Sequence, residues 1–425
     1  MKSRSTLPIS WAKVITLGLV AVLVLLAAGC GATPEPTEVP APTEAPKEPE
    51  PTEVPAVAEP SGVVKVGVLH PTSGTFAVFG EQLNNGIKLY FDTVGNQVAG
   101  ADIELLMADS GGDPQQALEQ ARRLADEEGV DVLVGIVNSA VVVPLAQYAG
   151  EAEVPFIFGV GGARAATGPE RNPYVFRTGM ANGQQDRALG WYAVTELGME
   201  KGALLVWDFL VGEERGANFA QTFTDAGGEM VADIRPPLTT TDYGPFISQL
   251  DKDNTDIAYL FMAGPGAIAV VQQMSEFGMT PDVTLAGPDF LTVGTLHAMG
   301  EAAEGTVQGA QYVPVLDTPE NQAFLELYEA EVGGEPSVYV EEGYVLAQAV
   351  AEAVEAVGGD VSDKQAFVDA IGAVQFVGPA GPLRFDENGQ SVRNVYITRV
   401  IMGDDGVPTY EVLSTIEDVS QDWMP

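Results

Sequence analysis

The chain has 425 residues, with 20 Lys and Arg against 60 Asp and Glu, a formal charge of −40. That charge excludes a nucleic-acid binder, which needs a basic footprint to displace counterions, and excludes docking on anionic lipid through surface charge. One cysteine and two histidines, His70 and His297, exclude an internal disulfide framework and a thiolate- or histidine-rich centre, so neither a metal nor a cofactor is expected.

Residues 1–30 read as an export signal. Lys2, Arg4 and Lys13 make a basic n-region with no acid, and residues 14–28 form an apolar run of h-region length, short for a membrane span. The run ends in Leu26-Ala27-Ala28-Gly29-Cys30, which resembles a bacterial lipobox and makes Cys30 the lipidation site and mature N-terminus. An uncleaved anchor helix with an incidental cysteine is the competing reading; both tether an exported chain to the membrane. Residues 31–60 hold nine prolines, seven glutamates and no aromatic, in near-copies of Pro-Thr-Glu-Val-Pro. Such a segment buries too little apolar surface to offset ordering entropy. As a polyproline spacer at about 3.1 Å per residue it reaches roughly 90 Å.

Regular patterning starts after Gly62. Strands are expected at 63–69, 103–108, 132–136 and 155–158, with helices at 80–92, from Asp113-Pro114 onward, and at 141–149. The alternation restarts with helices at 184–197, 213–226, 243–250 and 267–277, and strands at 203–207, 230–234, 257–261 and 284–286. Helices at 321–331 and 342–357 follow, the second with Val345, Leu346, Ala349, Val350, Ala353 and Val354 on one broad apolar face. Strand-like segments at 382–385, 394–402 and 410–413 close the chain, with a turn at Asp386-Glu387-Asn388-Gly389. The fold class is therefore α/β: two doubly wound, Rossmann-like parallel-sheet lobes.

Parallel sheets bind ligands at the carboxyl ends of their strands, which nominates loops 70–79, 136–140, 159–164, 208–212, 262–266 and 288–290. Ser139 opens a helix after a strand, where a hydroxyl and free amides receive an anion; a plain N-cap is the bland reading. Gly159-Val160-Gly161-Gly162 is a glycine-rich turn whose amides can crowd an anion; its spacing is not that of a dinucleotide fingerprint. Asp289 suits an ammonium partner or a helix N-cap before 291–297. Trp207 and Phe209 read either as core or as pocket wall, and His70 as a satisfied loop histidine.

The order of Val66-Gly67-Val68-Leu69, Pro71-Thr72-Ser73-Gly74, Phe79-Gly80, Asn85-Gly86-Ile87, Asp109…Asp113-Pro114…Ala117, Val134-Gly135…Ser139…Pro144, Phe176-Arg177-Thr178 and Gly287-Pro288-Asp289 resembles a known family. It is that of the extracytoplasmic solute-binding proteins of branched-chain amino-acid (Leu/Ile/Val) ABC importers, of the type I periplasmic binding protein fold. The resemblance spans residues 63–413. It implies two lobes joined by three hinge crossovers near 177–182, 310–315 and 378–385, with lobe one at 61–179 plus 313–380 and lobe two at 180–312 plus 381–425. It implies no catalysis. The implied function is capture of an amino acid between the lobes and delivery to permease and ATPase subunits by a lipid-anchored, extracytoplasmic monomer. A sensory receptor for another small amide or carboxylate compound is the alternative.

By the resemblance, Ser139 holds the ligand's carboxylate, Val160 and Gly162 give main-chain contacts, Asp289 pairs with the α-ammonium and Phe79 covers the ligand. Three departures stand out. Gly162 replaces a common Thr or Ser, and tyrosines are missing near Val211-Gly212 and at Ala263, which opens space and puts leucine itself in doubt. No G-x-S-x-G elbow, Walker motif or His–carboxylate cluster supports an enzyme.

Of the 40 net negative charges, 37 fall beyond residue 60, because residues 1–60 carry four cations against seven acids. Self-repulsion on the folded part is screened over a Debye length of about 10 Å at 0.1 M salt. Raising NaCl to about 0.5 M should therefore raise the melting temperature of the folded part; an unchanged value would remove repulsion as an important term.

Overall fold

The computed structural model describes residues 62–425. The export signal, Cys30 and the spacer lie outside the described residues.

Strand β1 (Gly62–His70) is buried from Val66 onward on both faces, as a parallel strand covered by helices must be. It is followed by α1 (Ala77–Thr93), β2 (Gln97–Val98), β3 (Ala101–Asp109), α2 (Pro114–Arg122), β4 (Val132–Gly135), α3 (Ser139–Ala152), β5 (Phe156–Phe158) and β6 (Val175–Arg177). These strands form one sheet in the order β2-β3-β1-β4-β5-β6, parallel except where β2 meets β3.

The second half begins with α4 (Gln184–Thr195), β7 (Lys201–Val206), α5 (Leu210–Asp225), β8 (Glu229–Ile234), α6 (Gly244–Ile247), β9 (Ile257–Phe261), α7 (Pro265–Glu276), β10 (Thr284–Pro288), α8 (Leu296–Met299) and β11 (Val307–Ala310). The chain then returns to the first sheet as α9 (Pro319–Glu331), α10 (Val338–Ala356) and α11 (Lys364–Gly372). It ends in β12 (Gln375–Gly378), β13 (Gly381–Phe385), β14 (Ser391–Met402) and β15 (Pro408–Val419). The second sheet runs β12-β13-β14-β11-β10-β9-β7-β8, with β15 also on β14. Its β7–β11 core is parallel and its β12–β15 edge antiparallel. The hairpin β12–β13 bonds into this sheet, while Phe385 packs into the core of the first.

Several elements differ from the sequence expectation. The helix expected at 243–250 is the single turn α6. The one expected at 291–297 is split into a 3-10 turn, Asp289–Leu291, and α8, because Gly294 between them takes φ +68°. Strands β2, β6, β11 and β12 are two to four residues long, too short for a periodic signal. Helix α11 was not expected from the sequence; Asp363 caps it by accepting the Ala366 N–H.

Two layers of helix close each sheet. On the first, α1, α10 and α11 bury Leu83, Ile87, Leu346, Val350, Phe367 and Ile371 against one face, and α2 and α3 bury Ala117, Ala121, Val142 and Leu145 against the other. The α1–α10 contact depends on two mid-helix glycines. A Cβ on Gly86 would overlap the Val340 carbonyl oxygen, and one on Gly343 the Leu83 carbonyl oxygen. Gly costs a helix interior about 1 kcal/mol relative to Ala, yet here Ala would push two backbones apart. Gly86→Ala and Gly343→Ala should each destabilise by about 1–3 kcal/mol, the range for overpacked cores, read as a lowered denaturation midpoint; an unchanged midpoint in both would refute the close contact.

Candidate functional site

The carboxyl ends of β1, β4 and β5 and of β7, β9 and β10 present the loops that the sequence nominated. On the first half, the structure joins two of the expected residues: the Ser139 hydroxyl accepts the Gly162 N–H at 3.1 Å. Ser139 is not the helix cap. That role falls to Asn138, which accepts the Ala140 N–H and donates to the Gly112 carbonyl at 2.8 Å. The Ser139 hydroxyl, half-buried at the positive end of the 14-residue helix α3, thus keeps its own hydrogen free to donate.

Gly162 also has a local reason to lack a side chain. A Cβ there would overlap Asn182, whose backbone N–H donates to the Gly162 carbonyl and whose amide donates to Glu214 at 2.8 Å. The Thr or Ser that the resemblance led one to look for has no room. Val160 is half-buried against the first core. Phe79 sits in the first turn of α1 and stacks on Tyr339 at 4.6 Å and 26°.

On the second half, Asp289 is 2% exposed. Its Oδ1 accepts from the Gln185 amide at 2.7 Å and the Phe290 N–H at 2.9 Å, and its Oδ2 from the Gln311 N–H at 3.1 Å. Burial pushes its carboxyl up to about 6 against the pull of these donors and of the Arg215 charge. The carboxylate therefore organises its own wall first, and of about four lone-pair sites one stays open. Trp207 is half-buried and donates from Nε1 to the Tyr243 hydroxyl at 3.0 Å. Phe209 lies edge-on to Trp207 at 6.4 Å and stacks on Phe261 at 6.0 Å. Ala263, half-buried after β9, brings no polar atom beyond its backbone.

Three functional features escaped the sequence reading. Tyr339, in the first turn of α10, stands between Phe79 and Phe290, the latter edge-on at 5.8 Å, so one ring touches both halves. It was missed because only loops after strands were searched. Arg215, 3% exposed on α5, pairs with Asp186 at 2.9 Å and lies over the rings of Phe261 and Phe290 at 5.3 and 5.0 Å. A cavity of about 670 Å³ opens beside Asp289, between Gln82 and Ser337 on one side and Thr292 and Tyr410 on the other. It reaches neither Ser139 and Gly162 nor the rings of Phe79, Tyr339 and Phe290, so the expected residues fall into separate groups. His70 corrects its expectation: it ends β1, is 2% exposed, and its Nδ1 has no partner. Burial draws it down to about 4, partly opposed by Asp109. Among the described residues, no group of three or more His, Cys, Asp or Glu is arranged to hold a metal ion, and no helix is long and apolar enough to cross a membrane.

The passages between the halves are pinned together. Gly179 O accepts from the Gln390 amide at 2.8 Å and the Ser391 hydroxyl at 2.7 Å, Met180 N donates to Gln311, and Arg393 donates to Thr178 O. The Arg393 guanidinium binds Glu341 and lies 3.5 Å from Glu342.

Two wound sheets carry facing loops, with a hydroxyl at a helix N-terminus on one and a buried acid on the other. The chain belongs to the periplasmic binding protein family, whose model matches residues 63–406. A Leu/Ile/Val-binding protein homolog 6 of Brucella melitensis is 30% identical over 365 residues, 84% of this chain and 92% of that one. An ABC transporter substrate-binding protein from Sphaerobacter thermophilus superposes with a TM-score of 0.82 at 33% identity, covering 84% of this chain and 99% of that chain. A solute-binding protein of an ABC transporter from R. palustris, solved with benzoate, gives 0.76 at 32% identity, covering 85% and 98%. The chain is an ABC transporter substrate-binding protein with the type I periplasmic binding protein fold, and it works outside the cytoplasm.

Glu342 yields a pH prediction. Its carboxyl lies 3.5 Å from the Arg393 guanidinium, yet burial pushes it up from 4.5 to about 8. Below about 4.5 the group is protonated whether folded or not; as pH rises toward about 8 the unfolded chain loses this proton first, so wild-type stability falls across that window. Glu342→Gln is neutral throughout. Its stability relative to wild type should rise between about pH 4.5 and 8, measured by denaturant midpoints at several pH values. A difference that stays flat over this range would rule out the buried proton.

Proposed function

We propose that the solute is a small carboxylate with an aromatic body, captured between two lobes that close as a hinge. The observation that carries this reading is the Ser139–Gly162 hydrogen bond at the N-terminus of α3, which leaves the Ser139 hydroxyl hydrogen directed by its acceptor role toward an incoming anion. The ring surface of Phe79, Tyr339 and Phe290, with Phe209 and Trp207 beyond, supports a flat apolar body. The commitment of Asp289 to three N–H donors argues against an acid kept free for an ammonium. The R. palustris protein bound to benzoate is a relative with which this reading agrees.

A branched-chain amino acid is the second reading. It is favoured by the remaining acceptor site on Asp289, which would pair an ammonium without stranding either ion when the cleft shuts, and by the name of the Brucella relative. In either case the lobes would be 61–179 plus 313–380 and 180–312 plus 381–425. The protein would act as a monomer, anchored through a lipid on Cys30 and handing its solute to permease and ATPase subunits.

Thermal shift with benzoate, hydroxybenzoates, leucine, isoleucine and valine separates the readings. A solute at a hundred times its Kd stabilises by about 2.7 kcal/mol. Binding confined to the amino acids would overturn the aromatic reading. Ser139→Ala should weaken the bound solute about tenfold or more, the loss of one hydrogen bond to a charged group, while the ligand-free protein stays folded; equal affinity would reduce Ser139 to a scaffold residue.

A further inference from the structure

We propose that Arg215 is a positioning residue that sets the charge class of the solute, by neutralising the Asp289 wall and holding Phe290 in place. The inference rests on the preceding reading that the solute lies against that wall.

Arg215 departs from α5 into the interior beneath the loop that follows β10. Its Nη1 donates to Asp186 Oδ2 at 2.9 Å, and Asp186 is itself fully buried and accepts the Tyr259 hydroxyl through its other oxygen. The guanidinium plane packs on Phe290 at 5.0 Å and on Phe261 at 5.3 Å, a cation–π arrangement in a desolvated site. Phe290 follows Asp289 directly and meets Tyr339. Of the titratable groups whose charge acts on Arg215, Asp186 and Asp289 are the acids it counters, while burial keeps the Tyr259 phenol neutral.

The electrostatic consequence is specific. With Arg215 present, Asp186 and Asp289 together leave this wall with one net negative charge when both are ionised, and with none when Asp289 holds a proton. Without Arg215 the same wall carries two buried negative charges or one. An anionic solute lacking an ammonium tolerates the first arrangement and is repelled by the second. A zwitterion gains in the second, because its ammonium replaces the lost cation. At an effective dielectric near 20, one unit charge acts on another over several ångströms by about 1–3 kcal/mol, so the choice between the two classes turns on this residue.

The test uses two matched pairs of solutes that differ only in an ammonium: 3-phenylpropanoate against phenylalanine, and 4-methylpentanoate against leucine. Calorimetric Kd values are measured for wild type, Arg215→Lys, Arg215→Met, and Asp186→Asn combined with Arg215→Met. The double variant removes one charge of each sign, so its wall keeps the wild-type net charge and leaves no stranded ion at 186. We expect Arg215→Met to shift the Kd ratio toward the amino acid by about tenfold or more in each pair, and the double variant to retain the wild-type ratio. Arg215→Lys keeps the charge and should retain the wild-type ratio even if both affinities weaken. Asp289→Asn should shift the ratio the opposite way.

A fall in all affinities with unchanged ratios in Arg215→Met, or the same ratio shift in Arg215→Met and the double variant, would make Arg215 a purely structural residue and overturn the inference. Wild type favouring the amino acids, with the ratio shifted further by Arg215→Met, would sink the aromatic reading and leave this one standing. Binding of neither pair by wild type would overturn both.

Discussion

Arg393 brings a guanidinium from β14 into the interior, where it meets two carboxylates in the first turn of α10. A buried ion costs several kcal/mol unless it is paired, so β14 and α10 are not free to drift apart. Arg393 also donates to Thr178 O in the first passage between the sheets. Gln390 and Ser391, just before it, hold Gly179, and Gln311 from the second passage receives Met180 N. Strands from one sheet and helices from the other thus meet at a small polar knot. The orientation of both facing loop sets depends on it.

From that knot the site is built by exclusion as much as by attraction. Asn182 occupies the space that a side chain at position 162 would need, and it fixes the turn against which Ser139 is placed. Gly86 and Gly343 let α1 approach α10 closely, and this approach sets Phe79 against Tyr339. On the opposite wall, Asp289 gathers Gln185, Phe290 and Gln311 around itself. The proposed solute surface is a by-product of close packing: half-buried rings at Phe79 and Phe290, one hydroxyl with a free hydrogen, and one acid mostly committed to its own scaffold.

Much of this was legible beforehand. Strand–helix alternation marked the parallel halves, and branched apolar runs such as Val132-Leu133-Val134 marked strands covered on both faces. The nominated loops after β4, β5, β9 and β10 do contain Ser139, Gly162, Ala263 and Asp289. Strands β2, β6, β11 and β12 were lost because two to four residues leave too few positions for alternation to register. The helix expected after Asp289 failed at Gly294, where a positive φ breaks it. Tyr339 and Arg215 were passed over for a different reason. Nothing in a local window says that the first turn of one helix touches both halves, or that a charged residue in a mixed helix such as α5 turns inward.

The sequence by itself determined what depends on local pattern and composition: the α/β class, two like halves and an acidic composition. These follow from periodicity, turn chemistry and charge, which neighbours along the chain settle among themselves. The tertiary structure alone decided which charges are buried, which acid is shared with which arginine, and which rings stand together. Such pairings join residues such as Glu341 and Arg393, or Asp186 and Arg215, that are far apart in the chain. Their energy is set by desolvation and distance, and neither exists until the halves have packed.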